Sequence, residues 1–430
     1  MIERIRDRLS GRARWYDIIE VRGAGTPISF ANSRLHSVTE RHNSGFGVRV
    51  NVEGRTGFSY TNDASRLEET ADRALQLAAW GDEEDFELPA SAVKAFEPYN
   101  GAIDAFDAAG EIAAAEDTIA AILKRFPQAT VDLSIGRSTG SMRIVNSSGL
   151  DRSFRSSQYA ASIGVTLILD DGTRIDAGES ASFLAPAPHG NLREGVMEKI
   201  GAALVTRKLP SGRVPVLLSP RAFARVIGIM TAGLSAKAVW KGISPFGEKR
   251  GERMFAPSLT VRDDPALAGS PYSYPFDDEG VTAVNKFLVD RGVIGTFITD
   301  LKHARKLDLV PGGNGARGYS SLPYPSFSNI VIDPGPEKKE GLISGISRGI
   351  LVEQFIGLGQ SNTLTGDFSA GLDLAYLIEN GEIAGRIKDC MISDNLFRLL
   401  AGEFSLSAER ERIGAVLAPH VLFPSVNYTG

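Results

Sequence analysis

A single cysteine, Cys390, in 430 residues excludes an internal disulfide framework and suits a reducing compartment. No apolar run approaches the roughly 18 residues of a membrane span. The opening segment MIERIRDRLSGRARW is too charged for a secretory leader. Neither sign of charge dominates: 47 Lys and Arg against 52 Asp and Glu leave a net charge of −5, and the basic residues are scattered. That distribution offers no stripe for nucleic acid or anionic lipid. These absences predict a soluble, cytoplasmic protein with no direct nucleic-acid or membrane contact.

Metal-binding patterns are equally sparse. His36, His42, His189, His303 and His420 are the five histidines, and no pair has ligand spacing. Cys390 lies in the apolar context KDCMIS and reads as a buried small residue. No phosphate-binding G-x-x-x-x-G-K-[ST] loop occurs. The residues themselves therefore predict no metal and no cofactor.

What is present is enough apolar residue, 43%, for two sizeable cores. We expect an α+β protein of two domains, residues 1–209 and 210–430, divided near Pro210-Ser211-Gly212. The first reads as a β-meander and helix domain. YDIIEV alternates, GFGVRVNVEGRTGFSY gives two strands around Glu53-Gly54, and a helix follows with a Ser65/Glu68 capping box. A second helix ends before Pro127, and strands resume. FANSRLHSVTERHNSGFGVRVNVEGRTGFSY is echoed by IVNSSGLDRSFRSSQYAASIGVTLILDDGTRI, which suggests an internal duplication. The second domain is rich in hairpin signals, at Asp290-Arg291-Gly292 and Asn380-Gly381. It reads as an antiparallel or mixed, barrel-like sheet with few helices.

Four segments are candidates for chemistry. The helix PRAFARVIGIMTAGLSAKAVW carries no charge between Arg225 and Lys237, and its apolar spacing reads as core. PFDDEGV sets Asp277, Asp278 and Glu279 in one turn, able to hold a cation or a substrate amine, or simply to be solvated. VPGGNGARGYSSLPYPSFSN is long and aperiodic; Arg317 suits a carboxylate, and Tyr319, Tyr324 and Phe327 offer aromatic faces close to Asn329. GLGQSNTLTGDF supplies Gln360, Asn362, Thr363, Thr365 and Asp367 in an extended stretch suited to main-chain contacts with a peptide.

The ordered segments VPVLLSPRAF, PFDDEGV, DRGVIGTFITDLKHARKLDLVPGGNGARGYSSLPYPSFSNIVIDPG, RGILVEQFIGLGQSNTLTGDFSAGLDLAYLIENGEI and ISDNLFRLLAGEF resemble the TldD/PmbA family, also called modulators of DNA gyrase. The resemblance runs through most of residues 214–430. It implies zinc metallopeptidase relatives with an H-E-x-x-x-H helix and a late cysteine ligand, and a PmbA/TldE branch that lacks those ligands and pairs with the metal-bearing subunit. The ligand positions fall near Gly228, Ile229, Gly233 and Ile413, none of which offers a donor side chain. The chain thus resembles the PmbA/TldE branch, although GYSSLPYPSFSNIVI is closer to the catalytic one.

The resemblance implies a dimeric, non-catalytic partner of a TldD-like zinc metallopeptidase that processes small extended peptides. Candidate peptide contacts are Asp277, Asp278, Glu279, Arg317, Tyr319, Asn329, Gln360, Asn362 and Asp367, with no catalytic or metal-binding residue. Two alternatives stay open: a metal-independent hydrolase using Asp277, Asp278 or Glu279, and a protein that binds gyrase.

Overall fold

The structure, a computed structural model, describes residues 2–93 and 96–430. The first half runs α1 (Ile2–Leu9), β1 (Trp15–Ala31), β2 (Arg34–Val38), β3 (Arg41–Val52), β4 (Arg55–Thr61) and α2 (Leu67–Leu77). It continues with α3 (Ala108–Arg125), β5 (Ala129–Asn146), β6 (Asp151–Ile168), β7 (Arg174–Phe183) and α4 (Gly190–Ala203). One antiparallel sheet results, in the order β4-β3-β1-β5-β6-β7, with β2 folded back on the end of β1. Read outward from the central β1–β5 pair, each side is a helix, three long strands and a closing helix. The two sides thus repeat one order of elements, the layout that the expected echo would give, and meet in antiparallel fashion where Gly23 faces Gly140.

Apolar spacing decides which face each helix covers. Ile5 and Leu9 of α1, with Ala71 and Ala74 of α2, pack against Val48 and Val50 of β3. Ile119 and Ile122 of α3, with Val196 and Ile200 of α4, pack with Val131, Leu133, Ile163 and Val165 of β5 and β6. Each of these Val, Leu and Ile side chains contributes about 1.5–3 kcal/mol when fully buried. The capping box expected at Ser65/Glu68 does not form. Asp63 Oδ1 instead accepts from the Ser65 amide at 2.8 Å and hydroxyl at 2.7 Å, which winds Ala64–Arg66 into a 3-10 turn ahead of α2. With Arg66 at its N-cap, α2 begins without a side-chain cap.

The second half comprises β8 (Gly212–Leu218), α5 (Pro220–Gly233), α6 (Ala236–Trp240), β9 (Val261–Asp263), β10 (Lys286–Asp290), β11 (Val293–Ile294) and α7 (Leu301–Lys306). After these come β12 (Gly315–Ala316), β13 (Tyr324–Pro325), β14 (Ile330–Ile332), α8 (Lys339–Ser344), β15 (Arg348–Ile356) and β16 (Asp367–Glu379). The chain ends with β17 (Glu382–Ile387), β18 (Met391–Asn395), α9 (Leu396–Ala401), β19 (Ser405–Ile413) and β20 (Val416–Thr429). Strands β8, β15, β16, β18 and β20 pair in a ring that closes when β20 returns to β8. The β15–β8 and β14–β20 pairs are parallel, so the sheet is mixed.

Helix α5 starts where β8 ends. Ser219 accepts from the Ala222 amide as N-cap, and Pro220, with no amide hydrogen to lose, occupies the first turn. Its Phe223, Val226, Ile227 and Met230 share one core with Val216, Val352, Val421 and Phe423 of the barrel. The two halves are not separate cores: Val196 and Ile200 of α4 also pack with Leu351, Leu374 and Ile378 of the barrel strands. Among the described residues no helix is long and apolar enough to cross a membrane, which says nothing of strands.

Candidate functional site

The PFDDEGV turn lies at the junction of the halves, where its carboxylates meet charges from the first sheet. Arg49 on β3 is 2% exposed; its Nε and Nη2 donate to Asp17 Oδ2 at 3.0 and 2.5 Å, and its Nη1 donates to Glu279 Oε1 at 2.9 Å. The other Glu279 oxygen accepts from the Leu301 amide at 2.7 Å. Asp277 accepts from the amides of Glu279 and Val281 at 2.9 Å each and of Gly315 at 2.7 Å. Asp278 accepts from the Arg317 amide at 2.8 Å, while Arg317 Nη1 forms an ion pair with Asp17 Oδ1 at 2.9 Å without hydrogen-bond alignment.

Burial sets the electrostatics of this cluster. It pushes Asp278 up to about 6 against the opposing Arg317. Glu279 likewise rises to about 6, with Arg49 opposing and Asp300 adding to the rise. Asp277 is raised by burial and by Glu279, with its three amide donors opposing. Burial also acts on Asp17, but Arg317 and Arg49 more than offset it and hold the group below the usual range. The structure therefore brings Asp277, Asp278, Glu279 and Arg317 together, with their polar atoms turned largely toward other parts of the chain.

The remaining sequence candidates are dispersed. The Tyr319 ring lies flat against Gly45 of β3, where a Cβ would stand 2.4 Å from it, and meets Tyr60 edge-on at 6.2 Å. Asn329 is buried and bonds Ser270, Ser273 and the Asp264 carbonyl. Asn362 caps its own turn through the Leu364 and Thr365 amides, and Asp367 is held by Thr365 and Asn395. The side chain of Gln360 lies outside the described residues.

A cleft of about 620 Å³ runs along α5, between Arg221, Arg225, Gly228 and Ile229 on the helix and the end of β15 opposite. Strand β8 accompanies β15 only from Ile350 to Val352, because at Ser219 the chain turns into α5. From Gln354 to Ile356, β15 pairs with β16 alone, so a strand edge faces the cleft. Of the GLGQSNTLTGDF residues singled out in the sequence, Thr363 lines this cleft, beside Ser361, while Asn362 and Asp367 do not. The signal that was available is the i, i+4 spacing of Arg221 and Arg225, which places both on one helix face.

The resemblance implies zinc in the catalytic relatives, and the residues at the corresponding positions here do not fit it. Gly228 and Ile229 line the cleft with no donor atom in their side chains. At Gly233 even a Cβ would stand 2.9 Å from both the Phe246 ring and Pro245 Cδ. Ile413 ends β19, and His420 on β20 is buried, its pKa pushed down to about 3 by burial and by Lys339. Among the described residues no three His, Cys, Asp or Glu side chains form a metal-binding group. Two G-x-S-x-G spacings occur, GRSTG at 136–140 and GISRG at 345–349, but the first lies within β5 and the second leads from α8 into β15. A nucleophile elbow needs the opposite sense, strand into helix.

With the geometry in place, comparison with known proteins assigns the class. Residues 211–430 match the family described as PmbA/TldA metallopeptidase C-terminal domain, and residues 16–78 match PmbA/TldA metallopeptidase domain 1. The fold and these matches define a metallopeptidase-like protein. The chain belongs to the PmbA/TldD family. It is similar to an uncharacterized protein of Methanocaldococcus jannaschii, 27% identical over 391 residues covering 88% of each chain. A protein named metalloprotease from Methanothermobacter thermautotrophicus is 26% identical over 416 residues, 91% of this chain and 87% of the relative. The crystal structure of TldE from Thermococcus kodakarensis shares the fold over 100% of both chains, with a TM-score of 0.92 and 22% identity.

Proposed function

We propose that this chain is a non-catalytic, PmbA/TldE-like subunit that pairs with a TldD-like zinc metallopeptidase and helps it process small, extended peptides. The observation that carries this reading is the donor set of α5. In a family described as metallopeptidase, the side chains of the cleft-facing Gly228 and Ile229 have no donor atom for a cation, and Gly233 is walled by Phe246 and Pro245. A zinc site with an open position needs three protein ligands to activate water.

Peptide contact falls to the cleft. The edge of β15 over Gln354–Ile356 is suited to main-chain pairing with an extended chain, which gives affinity without demanding a particular sequence. Asn362 and Asp367 shape the adjoining loop. Asp277, Asp278, Glu279 and Arg317 act as a brace between the halves, and Tyr319 crosses the same junction to Gly45, whereas Asn329 bonds within the second half. A hydrolytic role for the carboxylates is disfavoured because their oxygens already serve amides and Arg49.

The test is to purify the chain alone, and together with a metal-bearing relative from the same cell, and to measure zinc content and cleavage of unstructured peptides. The expected outcome is cleavage only in the mixture. Stoichiometric zinc and peptide turnover in the lone chain would overturn the reading.

A further inference from the structure

We propose that the α5 cleft recognises the C-terminal carboxylate of a peptide through Arg221 and Arg225, an inference that rests on the peptide-binding reading above. The two arginines stand one helical turn apart and both line the cleft. Arg225 is exposed and, among the described residues, no carboxylate or carbonyl pairs with it. Arg221 Nη2 reaches Glu179 Oε2 at 3.2 Å and Ser180 Oγ at 3.4 Å, but its Nε is buried with no acceptor.

The acids of the cleft are engaged elsewhere. Glu353, 6% exposed, is held by Lys199 Nζ at 2.7 Å, and Asp373 accepts from Gln354 Nε2 at 3.3 Å. Spare donors therefore exceed spare acceptors on the helix side. Two guanidinium groups so placed match the paired oxygens of a carboxylate and repel an ammonium. Gly228, the next residue on that face, would bring a Cβ within 4 Å of nothing, so space continues along the helix beyond Arg225.

The cleft also dictates which part of a peptide meets the arginines. A smaller cavity of about 180 Å³, walled by Lys199, Glu179 and the barrel, shares Arg221 and Glu353 with the cleft. A strand laid along Gln354–Ile356 with its end at Arg221 meets guanidinium groups there, and the end that they accept is the carboxyl end.

The experiment measures fluorescence anisotropy of N-terminally labelled hexapeptides with the full chain. It compares a free acid, its C-terminal amide, and an amide carrying an internal Glu. The expected result is that amidation weakens binding by about tenfold or more, the order of one charged hydrogen-bonded contact. Arg225→Gln, at an exposed position, should bring the free acid down to the level of the amide and leave the amide unchanged. Equal binding of free acid and amide overturns the proposal. So does full recovery by the internal Glu, which would mean that any side-chain carboxylate is read. If none of the three peptides binds, the peptide-binding reading itself fails and this proposal falls with it.

Discussion

Arg49 shows what one side chain does when removed from water among carboxylates. It answers Asp17 on the neighbouring strand and Glu279, 230 residues away, from a 2% exposed position. Deleting its charge leaves buried Glu279 without its ion-pair partner and Asp17 with Arg317 alone. Arg49→Met, which keeps much of the volume, should therefore cost about 3–5 kcal/mol, measured by urea unfolding. The acids make a second, pH-dependent prediction. Glu279 sits at about 6 against an ordinary 4.5 because burial disfavours its charge. A raised folded pKa means that the native state holds the proton more tightly; the resulting stability is complete below pH 4.5 and is lost as pH rises through about 6. The urea midpoint of Glu279→Gln relative to wild type should accordingly fall as pH drops from 7 to 5. None of this cluster was legible as a cluster. The sequence places Asp277, Asp278 and Glu279 in one turn, but no periodicity announces that Asp17 and Arg49, alternating residues of two ordinary strands, point at that turn.

At the scale of elements, turns were the most legible features because their chemistry is local. Glu53-Gly54 and Asn380-Gly381 both take positive φ at each position, 51° and 85° in the first and 51° and 78° in the second, as two-residue hairpins require. The start of α2 was misread because a capping box and an Asp-led turn compete for the same amides, and Asp63, two residues before Ser65, takes the Ser65 amide first. Helix α5 read correctly as core, whereas its cleft-facing arginines were invisible until β15 came opposite them. Where α2 crosses β4, packing is closer than any pattern reveals: a Cβ on Gly57 would stand 2.0 Å from the Ala74 carbonyl oxygen and 2.6 Å from the Ala78 amide. Gly57→Ala must push the helix away, with an expected loss of about 1–3 kcal/mol and increased hydrogen exchange confined to α2 and β4.

For the molecule as a whole, the sequence suggested two domains, and the structure shows two large sheets whose packing is shared. The α4 residues Val196 and Ile200 belong to the same apolar cluster as Leu351 and Leu374 of the barrel, and the Arg49 brace ties the opposite side. Calorimetry should show one main unfolding transition. Ile200→Ala, expected to cost about 2–5 kcal/mol, should lower that transition as a unit; two separate peaks in the wild type would contradict this coupling. The repeated order of elements was readable as an echo of Asn-Ser turns and closing hairpins, but its joining along β1 and β5 was not, since strand order is fixed by long-range pairing.

The ring of Phe246 against Gly233 has a consequence for any attempt to revive metal chemistry in this scaffold. Phe246 is fully buried and stacks edge-on with Phe255 and Phe397, so it has nowhere to retreat. A histidine installed at Gly233 would meet a wall of aromatic carbon, and an engineer would have to hollow out that wall before this position could help to catch an ion.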